Sequence, residues 1–187
     1  MKIYGIAGTN GAGKDSVGEM LAERHNFLFV SVSDLLREEC RKRGLPIERE
    51  NLRMISAEWR REFGLGVLVD RAVEQAKKGN YDGVAAVPMR NVGEAQRVLD
   101  LGGELVWVDA DAKTRYNRIT SRMRSDEDKK TFEQFQAEEE HEMHQSGDEA
   151  TLNVAGVKKI CNIFLDNDGN DIGKFKDEAE RALGFVK

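Results

Sequence analysis

The residues best suited to chemistry are a glycine-rich run and a lysine close to the amino terminus. Residues 2–7 are mostly apolar and predict a short buried strand, and residues 15–24 predict a helix. Between them, glycines permit turns in which main-chain N–H groups point inward at anionic oxygens. The helix amino terminus and the Lys14 ammonium add positive charge, so this run predicts a nucleoside triphosphate site. The predicted binding residues are Gly8, Asn10, Gly11, Ala12, Gly13, Lys14, Asp15 and Ser16.

The residue after the lysine departs from the usual pattern of such a run. A serine or threonine hydroxyl normally stands there to bind magnesium, but this chain has Asp15, with Ser16 one place later. A carboxylate binds magnesium directly or through water, and an acid is favoured in the first turn of a helix. We therefore expect Mg²⁺ to be bound by Asp15 and Ser16.

Composition limits the classes of protein that this chain can belong to. Its 187 residues suit one domain with a substantial core. The 29 basic and 34 acidic residues give a net charge of −5, which argues against general binding to nucleic acids or membrane surfaces. Cys40 and Cys161 are far apart in sequence, and no apolar run is long enough to span a bilayer. We expect a cytoplasmic protein with reduced thiols.

Five apolar segments alternate with helical patterns along the chain. This alternation predicts an α/β fold, a three-layer sandwich in which helices cover both faces of a five-stranded parallel sheet. Ser33 is the expected N-cap of a helix over residues 34–43. The predicted strands are residues 2–7, 27–32, 81–87, 104–109 and 159–165.

Arginines recur where the strands of this sheet would end. Arg37 comes one helical turn after Asp34, and Arg90 directly follows the third strand. Because ligands bind beyond the carboxyl ends of parallel strands, both guanidinium groups suit a bound monophosphate. Residues 115–130 are dense in arginine and predict a flap that closes over the transferred phosphoryl group. These features predict ATP as the donor and a small-molecule phosphate acceptor.

These short motifs resemble the nucleoside monophosphate kinase group, which includes adenylate kinase and dephospho-CoA kinase. Ser31-x-Ser33-Asp34-Leu35-Leu36-Arg37 and Pro88-Met89-Arg90 resemble the acceptor-binding stretches of that group, which implies that Asp34, Arg37 and Arg90 bind substrate. Arg115-x2-Arg118-x3-Arg122 is similar to the lid helix, whose arginines touch both phosphates. Asn167-Asp168-Gly169 lies where the last loop of the group passes the adenine, which implies nucleotide contacts for Asn167 and Gly169.

The resemblance implies one kinase domain over residues 1–187, with an acceptor-binding helical insertion at about 34–80 and a lid at about 112–146. The expected catalytic residues are Lys14, Arg118, Arg122 and Asp34. We expect the protein to be a monomer or a homodimer.

One departure from the group leaves the chemistry open. The group places an aspartate near the end of the third strand to organise magnesium, and Val84 to Pro88 contains none. Asp15, Asp34 or Asp109 are candidates to replace it, with Asp34 favoured by similarity to dephospho-CoA kinases. The main expectation is transfer to a nucleoside or deoxynucleoside monophosphate. The alternatives are a hydroxyl kinase that uses Asp34 as its base, and a slow ATPase that acts as a switch or assembly factor.

Overall fold

The computed structural model describes residues 1–122, 129–144 and 147–186. Within these ranges strands alternate with helices along the chain. The strands are β1 (Lys2–Gly8), β2 (Phe27–Ser31), β3 (Gly83–Met89), β4 (Glu104–Asp109) and β5 (Ile163–Asp166). The helices are α1 (Lys14–His25), α2 (Val32–Arg43), α3 (Arg49–Phe63), α4 (Val67–Lys77), α5 (Val92–Asp100), α6 (Ala112–Arg122), α7 (Phe132–Met143), α8 (Val154–Ile160) and α9 (Ile172–Ala182).

The five strands are all parallel and lie in the order β2-β3-β1-β4-β5. This order confirms the predicted α/β fold. Because β1 lies between β3 and β4, the chain runs to one side of β1 first and to the other side afterwards. Ligands of open parallel sheets bind at such a reversal, beyond the carboxyl ends of the strands. Gly8 ends β1 and so begins the glycine-rich run at this point.

Helices cover both faces of the sheet. Alternate residues of the buried strand β1 point to opposite faces, and each set packs against different helices. Tyr4 and Ile6 pack with α1 and α9 in one apolar cluster. Ile3 and Ala7 belong to the other cluster, which includes buried residues of α2, α3, α4, α5 and α8. The sandwich therefore has three layers, with the sheet in the middle.

The predicted N-cap of α2 is wrong. The helix begins at Val32, and the Ser31 hydroxyl, not that of Ser33, accepts a hydrogen bond from the Asp34 main-chain N–H at 3.2 Å. Val32 is buried against the sheet as the first helical residue. Its β-branched, apolar character predicted a continuation of the strand, but the cap formed by Ser31 starts the helix earlier.

The bounds of two strands also differ from the prediction. β3 runs to Met89, because Met89 still pairs with Ala7 beyond Pro88. Lys159 and Ile160 belong to α8 and not to β5. The helix forms because the Asn153 side chain accepts from the Gly156 N–H at 2.9 Å and so caps it.

The predicted insertion is occupied by α2, α3 and α4, which contribute buried side chains to the core. Arg60 of α3 also forms an ion pair with Glu94 of α5 at 2.6 Å, and the two side chains are only 2% and 0% exposed. The predicted lid contains α6 and α7, while its residues 123–128 and 145–146 lie outside the described residues. No helix in the described ranges is long and apolar enough to cross a membrane.

Candidate nucleotide-binding site

The run from Gly8 to Lys14 forms a tight turn between β1 and α1. Gly8, Gly11 and Gly13 have φ angles of 142°, 81° and 105°, a region that side chains rarely adopt. A Cβ atom on Gly8 would also lie 2.0 Å from the carbonyl oxygen of Val108 in the neighbouring strand β4. The turn therefore depends on glycine for both its conformation and its close approach to the sheet.

The side chain of Lys14 folds back over this turn. Its Nζ atom donates to the carbonyl oxygen of Thr9 at 2.6 Å, and the side chain is buried. Burial, followed by the nearby Arg90 guanidinium, lowers the pKa of Lys14 to about 7, while Asp15 and Glu142 oppose this change. A bound polyanion would offset the cost of burying the ammonium, so the position of Lys14 suits a phosphate ligand.

The loop after β5 is hydrogen-bonded to the main chain of the turn. Asn167 is buried, and its Nδ2 atom donates to the Ala12 carbonyl oxygen at 2.7 Å. A Cβ atom on Gly13 would lie 2.5 Å from the same Nδ2 atom. The Arg118 Nη2 atom donates to the carbonyl oxygen of Gly169 at 2.5 Å, which joins α6 to this loop. The amide of Asn167 is thus directed at the main chain of the turn.

A cleft with a volume of about 670 Å³ opens beside the turn, beyond the carboxyl ends of the strands. Residues from the turn, α2, the end of β3, α6 and the loop after β5 line it together, although they are distant in sequence. Gly8 and Ala12 are buried and are not among its lining residues. The lining residues that the sequence predicted are Asn10, Gly11, Gly13, Lys14, Asp15, Ser16, Asp34, Arg37, Arg90, Arg118, Arg122, Asn167 and Gly169.

Asp34 and Arg37 face the cleft from the first turns of α2. Arg37 Nη1 donates to Asp34 Oδ1 at 2.6 Å, an ion pair between residues three apart on a helix. Both side chains are largely exposed, so solvent weakens their attraction. This pair is therefore available to a ligand at little cost.

Arg90, which follows β3, is hydrogen-bonded to a residue of another helix, unlike Arg37. Its Nη1 atom donates to Glu142 Oε2 at 2.9 Å, and Glu142 belongs to α7. Arg53 of α3 donates to the other oxygen of the same carboxylate at 2.7 Å. The guanidinium predicted to bind the acceptor is thus paired with a carboxylate of the chain itself.

The three arginines of α6 differ in their surroundings. Arg115 is buried, donates from Nε to the Ala110 carbonyl oxygen at 2.7 Å, and pairs with both carboxylate oxygens of Glu139. Arg118 lines the cleft, and its Nη1 atom is buried with no hydrogen-bond partner in the described part of the chain. Arg122 also lines the cleft. Arg115 fixes α6 to α7, whereas Arg118 retains an unused donor beside the cleft.

Asp109, a candidate for the missing magnesium-organising carboxylate, has several protein partners. Its oxygens accept from Thr9 Oγ1 at 2.7 Å, Trp107 Nε1 at 3.2 Å and the Ala110 N–H at 2.9 Å, with Lys158 Nζ at 3.5 Å. Burial alone would raise the pKa of Asp109, but these donors lower it overall. Asp109 is not among the residues lining the cleft, so it positions Thr9 of the turn.

The lining residues fit a polyanion with magnesium. Among the described residues the buried Nη1 atom of Arg118 has no acceptor, and a ligand oxygen would remove the cost of an orphaned donor of this kind. Asp15 and Ser16 supply oxygen ligands of the kind that magnesium prefers, at the start of α1. The described residues contain no cluster of three or more acidic, histidine or cysteine side chains able to bind a metal alone. Magnesium bound here would therefore need the phosphates as ligands as well.

Sequence reasoning missed the acidic residues of α7. Glu138, Glu139 and Glu142 each pair with an arginine, and the partner of Glu142, Arg90, lines the cleft. Their spacing of three and four residues on one helix face is the signal that could have identified them. Glutamates dominate this run, however, and such a composition is equally typical of an exposed, solvated helix.

Comparisons with known proteins agree with this geometry. A family model described as an AAA domain matches residues 5–144. A UPF0200 protein of Pyrobaculum aerophilum is 30% identical over 185 residues, covering 98% of this chain and 97% of the relative. A UPF0200 protein of Saccharolobus islandicus is 29% identical over 189 residues, covering 100% of this chain and 94% of the relative.

Solved structures of kinases share the fold. A shikimate kinase from Bacteroides thetaiotaomicron superposes with a TM-score of 0.59 at 14% identity, covering 97% of this chain and 98% of that chain. A gluconokinase from Sinorhizobium meliloti gives a TM-score of 0.57 at 15% identity, and the match covers 98% of this chain and 91% of that chain. These matches confirm the predicted resemblance to phosphate-loop kinases at the level of the fold. With the match over residues 5–144 and the relative in Pyrobaculum aerophilum, the chain belongs to the AAA-domain family and to the UPF0200 family.

Proposed function

We propose that the protein is a small-molecule kinase that transfers the γ-phosphoryl group of ATP to a nucleoside or deoxynucleoside monophosphate. The observation that carries this proposal is the buried Nη1 atom of Arg118, which has no hydrogen-bond partner among the described residues and belongs to a side chain that lines the same cleft as Lys14. Two basic side chains from different helices that line one cleft suit the charge that spreads over a phosphoryl group during transfer. The kinase fold of the structural neighbours is consistent with the proposal but does not identify the acceptor.

The residues of the cleft divide into donor and acceptor groups. The main-chain amides of the turn and Lys14 would hold the donor phosphates, and Arg118 and Arg122 would stabilise the transferred group. Arg37 and Arg90 would orient the acceptor phosphate in line with the donor. Asp15 and Ser16 would hold magnesium in part, and the metal would supply positive charge beside the phosphates of ATP. An acceptor phosphate is already anionic, so this reaction needs no general base.

A hydroxyl acceptor is the second candidate, and one observation favours it. Arg90 is already paired with Glu142 at 2.9 Å, which an acceptor that reacts through a neutral hydroxyl would leave intact. Asp34 lines the cleft and would then take the proton of the attacking hydroxyl. The two candidates differ in whether the group that receives the phosphoryl is an anionic phosphate, which Arg90 would bind, or a neutral hydroxyl.

The deciding experiment follows ADP formation from ATP and Mg²⁺ with a panel of acceptors. The panel contains AMP, CMP, UMP, GMP, dTMP and dephospho-CoA, and Lys14→Ala provides the baseline. Strong stimulation by one monophosphate supports the main proposal, and stimulation by dephospho-CoA supports the hydroxyl kinase. A slow rate that no acceptor raises would contradict both and favour a nucleotide-dependent switch.

A further inference from the structure

The acidic helix α7 pairs with several arginines, and one of them, Arg90, lines the cleft. Glu138, Glu139 and Glu142 are spaced so that they share one face of the helix. This face meets arginines from three other elements: α3, the end of β3, and α6. The pairs are Arg49 with Glu138 at 2.9 Å, Arg53 with Glu142 at 2.7 Å, Arg90 with Glu142 at 2.9 Å, and Arg115 with Glu139.

Glu142 is the central residue of these contacts. Its side chain is 12% exposed and contacts both Arg53 and Arg90, with Arg49 at 3.9 Å. Burial alone would raise the pKa of Glu142, but Arg90, together with Arg53 and Arg49, lowers it to about 2. The carboxylate is therefore ionised throughout the physiological range, and its negative charge remains beside Arg90.

A carboxylate and a phosphate monoester compete for the same donors. Both accept charge-assisted hydrogen bonds from a guanidinium, and two anions on one arginine repel each other. A phosphate monoester carries a charge of about −1.5 to −2 near neutral pH, so it gains more than a carboxylate from several arginines. Glu142 uses the Nη1 atom that Arg90 would offer to an acceptor.

We propose that α7 acts as an internal competitor of the acceptor: Glu142 occupies Arg90 until a phosphate group displaces it. The idea rests on the proposed function only for the role of Arg90 in binding the acceptor phosphate. Displacement of Glu142 would also weaken the contact of α7 with α3, because Arg53 binds the same carboxylate. Acceptor binding would therefore loosen α7, and acceptors that lack a phosphate would leave it in place.

Binding of inorganic phosphate, measured without turnover, tests this proposal. The donor site is first filled with a non-hydrolysable ATP analogue and Mg²⁺, and failure of that step would count against the proposed function alone. Phosphate is then titrated by calorimetry into wild type, Glu142→Gln and Glu140→Gln. Glu140 is the matched control, because it lies on the same helix, is 74% exposed and pairs only with His144 in the described contacts.

We expect Glu142→Gln to bind phosphate about tenfold more tightly than wild type, because a competing charge is removed, and Glu140→Gln to match wild type. Equal or weaker binding by a folded Glu142→Gln would overturn the proposal. Because this substitution leaves arginines without a partner, hydrogen exchange of wild type provides a second measurement. Phosphate should accelerate amide exchange in residues 132–143, and unchanged or slower exchange would overturn the proposal independently.

Discussion

The Asn167 amide donates to the Ala12 carbonyl oxygen at 2.7 Å, which joins the loop after β5 to the glycine-rich turn. Asn167→Ala removes this donor and leaves a buried carbonyl group without its partner. We expect a loss of about 1–3 kcal/mol in the free energy of unfolding. We also expect affinity for ATP to fall about tenfold, because the amides of the turn lose their fixed geometry.

Urea denaturation and calorimetric titration with ATP measure these two effects of Asn167→Ala. Asn80→Ala is the control, because Asn80 is exposed and lies beyond the end of α4. If Asn167→Ala bound ATP as tightly as wild type, the turn would hold its shape without this bond.

Arg118→Met tests the unpartnered guanidinium nitrogen. Methionine retains apolar bulk but removes the buried Nη1 donor and the bond to Gly169. If Arg118 stabilises the transferred phosphoryl group, kcat should fall roughly a hundredfold, while KM for ATP changes much less. Steady-state kinetics with the stimulating acceptor provide the measurement. Arg41→Met, at an exposed position of α2, should leave both constants unchanged. A rise in KM with unchanged kcat would instead assign Arg118 to ground-state binding.

The lowered pKa of Lys14 predicts that nucleotide binding takes up a proton. In the free protein burial lowers this pKa to about 7, so Lys14 is neutral in most molecules at pH 8. Bound phosphates favour the charged form and raise the pKa, and the protein must then bind a proton. Calorimetry at pH 8 in buffers of different ionisation enthalpy should show uptake approaching one proton per nucleotide. At pH 6 the lysine is already charged and its uptake should disappear, whereas equal heats in all buffers at pH 8 would contradict the assignment.

The same lysine affects the pH dependence of folding. Its pKa is about 7 in the folded protein, against 10.5 for an ordinary, solvated lysine, so the unfolded chain binds more protons between these pH values. Burial of the charged lysine therefore destabilises the fold fully below pH 7, and this cost is lost as the pH rises toward 10.5. The free energy of unfolding of the wild type should therefore rise more between pH 6.5 and pH 9 than that of Lys14→Met, which lacks this contribution. Urea denaturation of both proteins at the two pH values measures the difference.

The buried pair of Arg60 and Glu94 predicts a large effect on stability. Glu94→Gln leaves the Arg60 guanidinium charged and buried without its counter-ion, so we expect a loss of about 3–5 kcal/mol. Urea denaturation measures it. Arg61→Gln is the comparison, because Arg61 pairs with Asp148 at 2.8 Å but both side chains are about half exposed. That change should cost much less, because solvent screens an exposed pair. Similar losses in the two variants would show that burial does not govern the Arg60 pair.

The fold was predictable because its signals are local. Apolar strands, glycine at turns and the lysine before α1 each predict structure from a few neighbouring residues. The first residues of two helices were less predictable, because a single N-cap residue decides where each helix begins. Ser31 is that residue for α2 and Asn153 for α8. These caps depend on which side chain reaches a main-chain N–H group, and spacing alone does not determine that.

The candidate site was predictable in its location but not in its pairing. Parallel topology brings Arg37, Arg90 and Arg118 to one cleft, as the order of strands and helices implies. Arg37 pairs with Asp34 on its own helix, but the partners of Arg90 and Arg118 come from elements far away in sequence, namely Glu142 and Gly169. A carboxylate on a glutamate-rich helix has the same sequence signature whether it faces solvent or a distant arginine, so only three-dimensional structure distinguishes the two.

The Arg60–Glu94 pair has a consequence for which helices are held most firmly. It attaches α3 to α5, a helix whose buried residues belong to the apolar core, so α3 is held by a contact that solvent does not reach. Helix α7, by contrast, reaches α3 and the end of β3 through ion pairs whose arginines are partly exposed. High ionic strength screens exposed charges more than buried ones, so we expect it to loosen α7 before it affects the Arg60–Glu94 contact.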